Sequence, residues 1–261
     1  MEQNNSVFKI LSPNKNTYLV VIKINNIKTL TDFSEKMPPS DKKDYELLHH
    51  ETKKQEFLAG RLALQQALTL LEHEYKGIKK DENGKPYLID YQIDYKDDNK
   101  ENNIENIHIS LSHSYPFACA LVSKQVSRCA GTLSGACGVD IEQPKEKVLK
   151  VASRVFSENE IIFLEKDLTK NTVFWCAKEV LYKIYGKGEV NFKENLFIFP
   201  FENQTENQTE SSIKNLTENS TENENIFKVL AEIKMPDFNQ KYTLNVTFLE
   251  DFVLCYGTNN S

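Results

Sequence analysis

The stretch "IHISLSHSYPFACALVSK" (residues 107–124) reads as a strand, a tight connection and a second strand, and "CGVDIE" (137–142) adds another strand shortly after it. Upstream, "TYLVVIKI" (17–24) is a strand by its β-branched and aromatic content. Residues 40 to about 71 carry a helical pattern, in which Phe57, Leu58, Leu62 and Leu68 recur at three- and four-residue spacing. "KKDENGKPYLIDY" then breaks the helix with Asn-Gly and Lys-Pro and turns into a short strand. Downstream, helices run from Lys145 to about Tyr185, one of them opening on the capping-box pattern "SENE" (157–160). "FKVLAEIK" and "YTLNVTFLEDFVLCYG" close the chain as antiparallel strands. The order is sheet, helices, sheet, repeated once, which predicts an α+β fold in two halves, 1–135 and 136–261, meeting near residues 131–138. No sequence repeat links the halves.

Composition narrows the classes. The 261 residues are 39% hydrophobic and carry a net charge of −6, enough chain for a real core. That charge argues against bulk attraction to nucleic acid or an anionic membrane. It is also unevenly spread: residues 201–225 hold six Glu and one Lys, which leaves the remainder near −1 and leaves room for a basic pocket. That Asn/Thr/Glu-rich segment has little to bury and reads as a disordered insert, and the polar run at about 94–106 reads as a loop insertion. Five cysteines without CxxC spacing read as reduced thiols, and no signal peptide or membrane-length apolar run is present. The reading is a cytoplasmic protein.

Three clusters could carry chemistry. In "GVDIE", Val139 and Ile141 alternate with Asp140 and Glu142, so on a strand the two carboxylates share a face about 6.5–7 Å apart. Such a pair is either a solvated strand face or a site for a hard cation such as Mg²⁺, which takes oxygen ligands. In "WCAKEVLYKIYGKG" (175–188) and the residues before it, Val173, Ala177, Val180, Leu181 and Ile184 form one apolar face of a helix from Thr172. Glu179 and Lys183 fall on a neighbouring stripe with Lys178 beside it. They are either a helix-surface salt bridge worth about 0.3–0.5 kcal/mol, or a base and a charge stabiliser at a phosphoryl group. Arg61 in "AGRLAL" is either a snorkelling side chain or a phosphate clamp. His113 in "LSHS" and Lys85 in "NGKP" are ambiguous singly.

Taken in order, "EFLAGRLALQQAL", "NGKPYL", "SLSHSY", "GVDIE" and "WCAKEVLYKIYGKG" resemble the motif series of the 4'-phosphopantetheinyl transferases. The closer likeness is to the long single-chain class, often called the Sfp type, in which two similar α+β halves are fused about a pseudo-twofold, each an antiparallel sheet packed with helices. The resemblance spans residues 55–188 and is strongest over 138–142 and 175–188. It implies transfer of the phosphopantetheine arm of coenzyme A to a serine of an acyl or peptidyl carrier protein, with release of 3',5'-ADP.

On this sequence the resemblance implies Mg²⁺ at Asp140 and Glu142, with Glu179 either completing the shell or taking the serine proton. Lys183 would assist departure of the ADP phosphate, and Lys178 would lie near the phosphates. Arg61, Ser112 and His113 would hold the 3'-phosphate end of coenzyme A, with Lys85 and Pro86 on the adenine side. A fused chain can build its site between its own halves, which implies a monomer. One departure stands out. The basic residues that precede the Arg helix in the long class have no clear match here beyond Lys53, Lys54, His49 and His50. Two rival readings remain: an inactive module that binds coenzyme A or a carrier, and a Mg²⁺-dependent phosphohydrolase that directs water at a pyrophosphate.

Overall fold

Residues 17–23, "TYLVVIK", are buried on both faces: Leu19 and Val21 point one way, Val20 and Ile22 the other, and none of the four is exposed to solvent. A strand apolar on both sides needs a layer above and a layer below. The computed structural model supplies both. It describes residues 7–25, 27–89, 104–127, 136–201 and 226–259. Cys129, segment 94–103 and nearly all of segment 201–225 lie outside the described residues.

In chain order the elements are β1 (Val7–Asn14), β2 (Thr17–Lys23), α1 (Ile27–Glu35), α2 (Pro39–Glu46), α3 (Glu51–Leu70), β3 (Ile78–Lys80), β4 (Pro86–Leu88), β5 (Ile104–Ser114) and β6 (Phe117–Ser127). There follow β7 (Cys137–Glu142), α4 (Lys147–Val155), α5 (Glu158–Leu164), α6 (Leu168–Tyr185), α7 (Phe192–Asn195), β8 (Leu196–Ile198), β9 (Phe227–Met235), β10 (Phe238–Leu249) and β11 (Phe252–Thr258). One antiparallel sheet runs β1-β2-β6-β5, a second runs β7-β11-β10-β9-β8, and β3-β4 is a small hairpin.

The period-2 alternation of the strands sorts the core into three sheets of contact. Val20, Ile22, Ala118, Ala120 and Val122 face α1 and α3, where they meet Leu58, Leu62 and Leu68. Val253 and Cys255 of β11, with Val229 and Leu244, face α6 through Val173, Ala177, Val180 and Ile184. Between the two sheets, Leu19, Val21, Cys119 and Leu121 pack on Val139, Ile141, Leu254 and Tyr256. The layers are therefore helix, sheet, sheet, helix. Each fully buried Val or Leu contributes roughly 1.5–3 kcal/mol of transfer free energy, so the central layer joins the two sheets firmly.

Three expectations are corrected in detail. Residues 40–71 are two helices rather than one, because Leu47 ends α2 and His50, extended at φ −90°, ψ 129°, starts α3 afresh. Residues 104–106 are already strand, where the polar run read as loop. The helix of the WCAKE stretch begins at Leu168, four residues earlier than its apolar face shows, because Asp167 caps it by accepting from the Lys170 amide at 2.9 Å. The capping box at 157–160 is present: Ser157 Oγ accepts from the Glu160 amide at 3.3 Å and Glu160 Oε2 accepts from the Ser157 amide at 2.7 Å.

Candidate active site

The helix α6 lies unusually close to β7, and a glycine permits it. A Cβ on Gly138 would sit 2.4 Å from the Val180 carbonyl oxygen, so only glycine lets the helix backbone settle there. That approach brings Lys183 onto the strand, where its Nζ donates to the Val139 carbonyl and to Asp140 Oδ1, both at 2.8 Å.

On its other side β7 meets β5, the edge strand of the first sheet, through serines. Ser110 Oγ accepts from the Val139 amide at 3.1 Å, and Ser112 Oγ accepts from the Ile141 amide at 3.3 Å while donating to Asp140 Oδ1 at 2.8 Å. Ser114 Oγ donates to Glu142 Oε2 at 3.4 Å. Residues two apart share a strand face, so "SLSHS" presents three hydroxyls in register with "VDIE". Two of them, Ser110 and Ser112, satisfy amides of β7, an edge strand of its sheet.

Electrostatics in this corner are dominated by crowded carboxylates. Burial first, then the Asp140 charge, raises the Glu142 pKa. Burial, Asp140 and Glu142 push Glu179 up to about 7 against the opposing pull of Lys183. Burial pulls Lys183 down, but Asp140, its hydrogen bond and Glu179 outweigh it, so the ammonium is held above its ordinary pKa. Asp140 Oδ2 is buried and has no hydrogen-bond partner among the described residues. An unpartnered buried carboxylate oxygen beside two carboxylates whose charge is disfavoured by burial fits a hard cation, and the donor set is all oxygen. Among the described residues no group of three or more His, Cys, Asp or Glu side chains is gathered tightly enough to cage an ion. The fit is thus to a site of one or two carboxylates that leaves most of the shell to water and phosphate, as Mg²⁺ commonly takes.

A cleft of about 730 Å³ opens from this corner and runs under the β3–β4 hairpin. Arg61, Lys85, Pro86, Ser112, His113, Glu179 and Lys183 all line it, so residues far apart in sequence share one cavity. The hairpin is pinned to the end of α6. Gly186 caps that helix at φ +64°, and a Cβ there would lie 2.5 Å from Lys85 Nζ, while Gly188 donates its amide to Asn83 Oδ1 at 3.1 Å. This accounts for the first glycine of "GKG". Burial lowers the Lys85 pKa. Burial also lowers that of His113, with Glu56 opposing.

Two residues differ from what the resemblance implies. Lys178 is in the core, away from the cleft: its Nζ lies 2.9 Å from Glu160 Oε2 and donates to the carbonyls of Phe192 (2.8 Å) and Leu196 (2.5 Å). Its ammonium is fully occupied in tying α5, α6 and α7 together, so it has nothing to offer a phosphate. Ser112 lines the cleft, but its hydroxyl proton is committed to Asp140, which makes it a support for the acidic corner instead of a 3'-phosphate donor.

Other residues escaped the sequence reading. Glu56 is buried and reaches Lys53 Nζ at 2.6 Å, the Tyr115 amide at 3.2 Å and His113 Nδ1 at 3.4 Å. Like Arg61, it is a charge in an apolar-rich helix, and that signal was available. Lys80 lines the cleft as a further cation, beside Lys53, already singled out in the sequence, which lies in the first turn of the Arg helix itself. Asp41, wholly buried, holds Arg61 Nε at 3.2 Å.

Against known proteins, residues 136–243 match the family model described as the 4'-phosphopantetheinyl transferase superfamily. The chain is also similar to the 4'-phosphopantetheinyl transferase gsp of Aneurinibacillus migulanus, with 30% identity over 116 residues, 42% of this chain and 38% of the relative. The match spans less than two fifths of that relative's length. No described helix is long and apolar enough to cross a membrane.

Proposed function

We propose, on the footing that residues 136–243 belong to the 4'-phosphopantetheinyl transferase superfamily, that this chain transfers 4'-phosphopantetheine from coenzyme A to a serine of an acyl or peptidyl carrier protein, releasing 3',5'-ADP. The observation that carries the reading is the place of Glu179: it borders a cation-lined cleft beside Lys183, where burial and the Asp140 charge raise its carboxyl to about 7. A base is most effective when its pKa lies near the working pH.

In this reading coenzyme A occupies the cleft, with Arg61 and His113 at its 3'-phosphate and Lys85 and Pro86 along the adenine. Asp140 and Glu142 would hold Mg²⁺, and since no three acidic side chains among the described residues are gathered to cage an ion, Glu179 is left to act as the base. When bound, the ion neutralises charge on the pyrophosphate oxygens. Glu179 takes the proton of the carrier serine as its oxygen forms the new bond to phosphorus. The bond from that phosphorus to the ADP oxygen breaks, and Lys183, held protonated, balances the charge left on the departing phosphate. Ser112 and Lys183 both bind Asp140 Oδ1 and so hold this carboxylate in place. A monomer belongs to this reading, since Arg61 and His113 of the first half and Glu179 and Lys183 of the second line the one cleft.

The test is release of 3',5'-ADP from coenzyme A with and without apo carrier protein, followed by chromatography. Release that requires the carrier supports transfer. Equal release in its absence identifies a phosphohydrolase.

A further inference from the structure

Arg61 is not free to move. Its Nε lies 3.2 Å from Asp41 Oδ1, and its guanidinium carbon stacks 4.3 Å from the centre of the Phe57 ring. The other oxygen of Asp41 accepts a hydrogen bond from the Tyr75 hydroxyl. Asp41 is completely buried, and Arg61 is only 8% exposed. The guanidinium is therefore held by Asp41 from α2 and by Phe57 one turn back on its own helix, and Asp41 is held in turn by Tyr75 from the segment before β3. A surface arginine needs none of this, and burying a carboxylate is costly unless it is paired. The pairing uses Nε alone, which is the nitrogen that the bidentate grip on a phosphate can spare. Both terminal nitrogens stay available to the cleft that Arg61 lines.

We infer that Asp41 and Tyr75 are positioning residues that fix the Arg61 guanidinium, so that its two terminal nitrogens address one phosphate of the nucleotide and set the preference for a 3'-phosphorylated ligand. The inference rests on the reading of Arg61 given above. The pairing also explains the break between α2 and α3: a single continuous helix over residues 40–70 would carry Asp41 about 30 Å along the axis from Arg61. The break lets α2 fold back so that the two meet. Burial, then the Asp41 charge and its hydrogen bond, raise the Tyr75 pKa, which keeps the phenol a donor at every working pH.

The experiment measures binding of coenzyme A and of 3'-dephospho-coenzyme A by calorimetry, to the full chain and to variants, with a thermal melt as a check on folding. Asp41→Ala lowers the preference for coenzyme A about tenfold while affinity for the dephospho form stays put, as expected for one charge-assisted contact. Asp41→Asn, which keeps an acceptor for Nε, restores most of it. Tyr75→Phe, which retains the Asp41–Arg61 pair, lowers the preference about twofold to threefold and serves as the test if Asp41→Ala does not fold. A merely structural role would weaken both ligands alike. If Arg61→Ala removes the preference and neither Asp41→Ala nor Tyr75→Phe changes it, the positioning role is overturned while the Arg61 reading stands. If Arg61→Ala itself leaves the preference at the wild-type value, the Arg61 reading fails and this inference with it.

Discussion

Ser112 donates a 2.8 Å hydrogen bond to Asp140, so a hydroxyl on the edge of the first sheet holds a carboxylate on the edge of the second. The bond ties the acidic corner to the packing of the two sheets. Ser112→Ala removes it and should cost about 1.5–3 kcal/mol, since a hydrogen bond to a charged group is lost. Through the freed carboxylate, Mg²⁺ affinity should fall about tenfold to a hundredfold. Urea unfolding and a Mg²⁺ titration in the presence of coenzyme A read the two effects separately.

Glu179→Gln should leave the fold intact and lower transfer by about 10²–10⁴. It also has a signature in stability. Between 4.5, the ordinary glutamate value, and about 7, folded Glu179 keeps a proton that the unfolded chain has lost. Its stabilising contribution is therefore complete at low pH and is lost as pH rises through about 7. Thermal melts of the metal-free protein across that window should show a decline in the wild type that the variant lacks. A bound divalent ion would lower this pKa, so Mg²⁺ should bind more tightly as pH rises through 7.

Lys178 and Lys183, neighbours on one helix, should respond differently. Lys178→Met strands the buried Glu160 and should cost about 3–5 kcal/mol by denaturant unfolding, with coenzyme A affinity little changed. Lys183→Ala should lose rate as well as stability, because Asp140 loses its charge partner but keeps the Ser112 bond.

Gly138→Ala tests the approach of α6 to β7. The added methyl meets a backbone carbonyl, which cannot swing aside, so the helix must lift. A loss of roughly 1–3 kcal/mol in a thermal melt should accompany a slower transfer, because Lys183 is carried away from Asp140.

These sites were unequally legible in the sequence. The apolar face of α6 and the capping box at Ser157 follow from spacing within a few residues, and the structure has both. The fate of Lys178 did not follow, because Glu160 looks like an ordinary surface cap. Only the packing of α5 on α6 turns it inward, where it also accepts from the Ile198 amide. The tie from Ser112 to Asp140 joins two edge strands from different sheets, and no local period reports it. Likewise the break at His50 is a backbone excursion whose reason, Asp41 meeting Arg61, lies in tertiary structure.

The most direct measurement is the intact mass of a purified apo carrier protein after incubation with this protein, coenzyme A and Mg²⁺. A gain of one phosphopantetheine mass, abolished by EDTA and by Glu179→Gln, is the predicted result. No gain on fatty-acid, polyketide or peptide carriers, while coenzyme A still binds, would contradict the account and leave a coenzyme A-binding module without turnover.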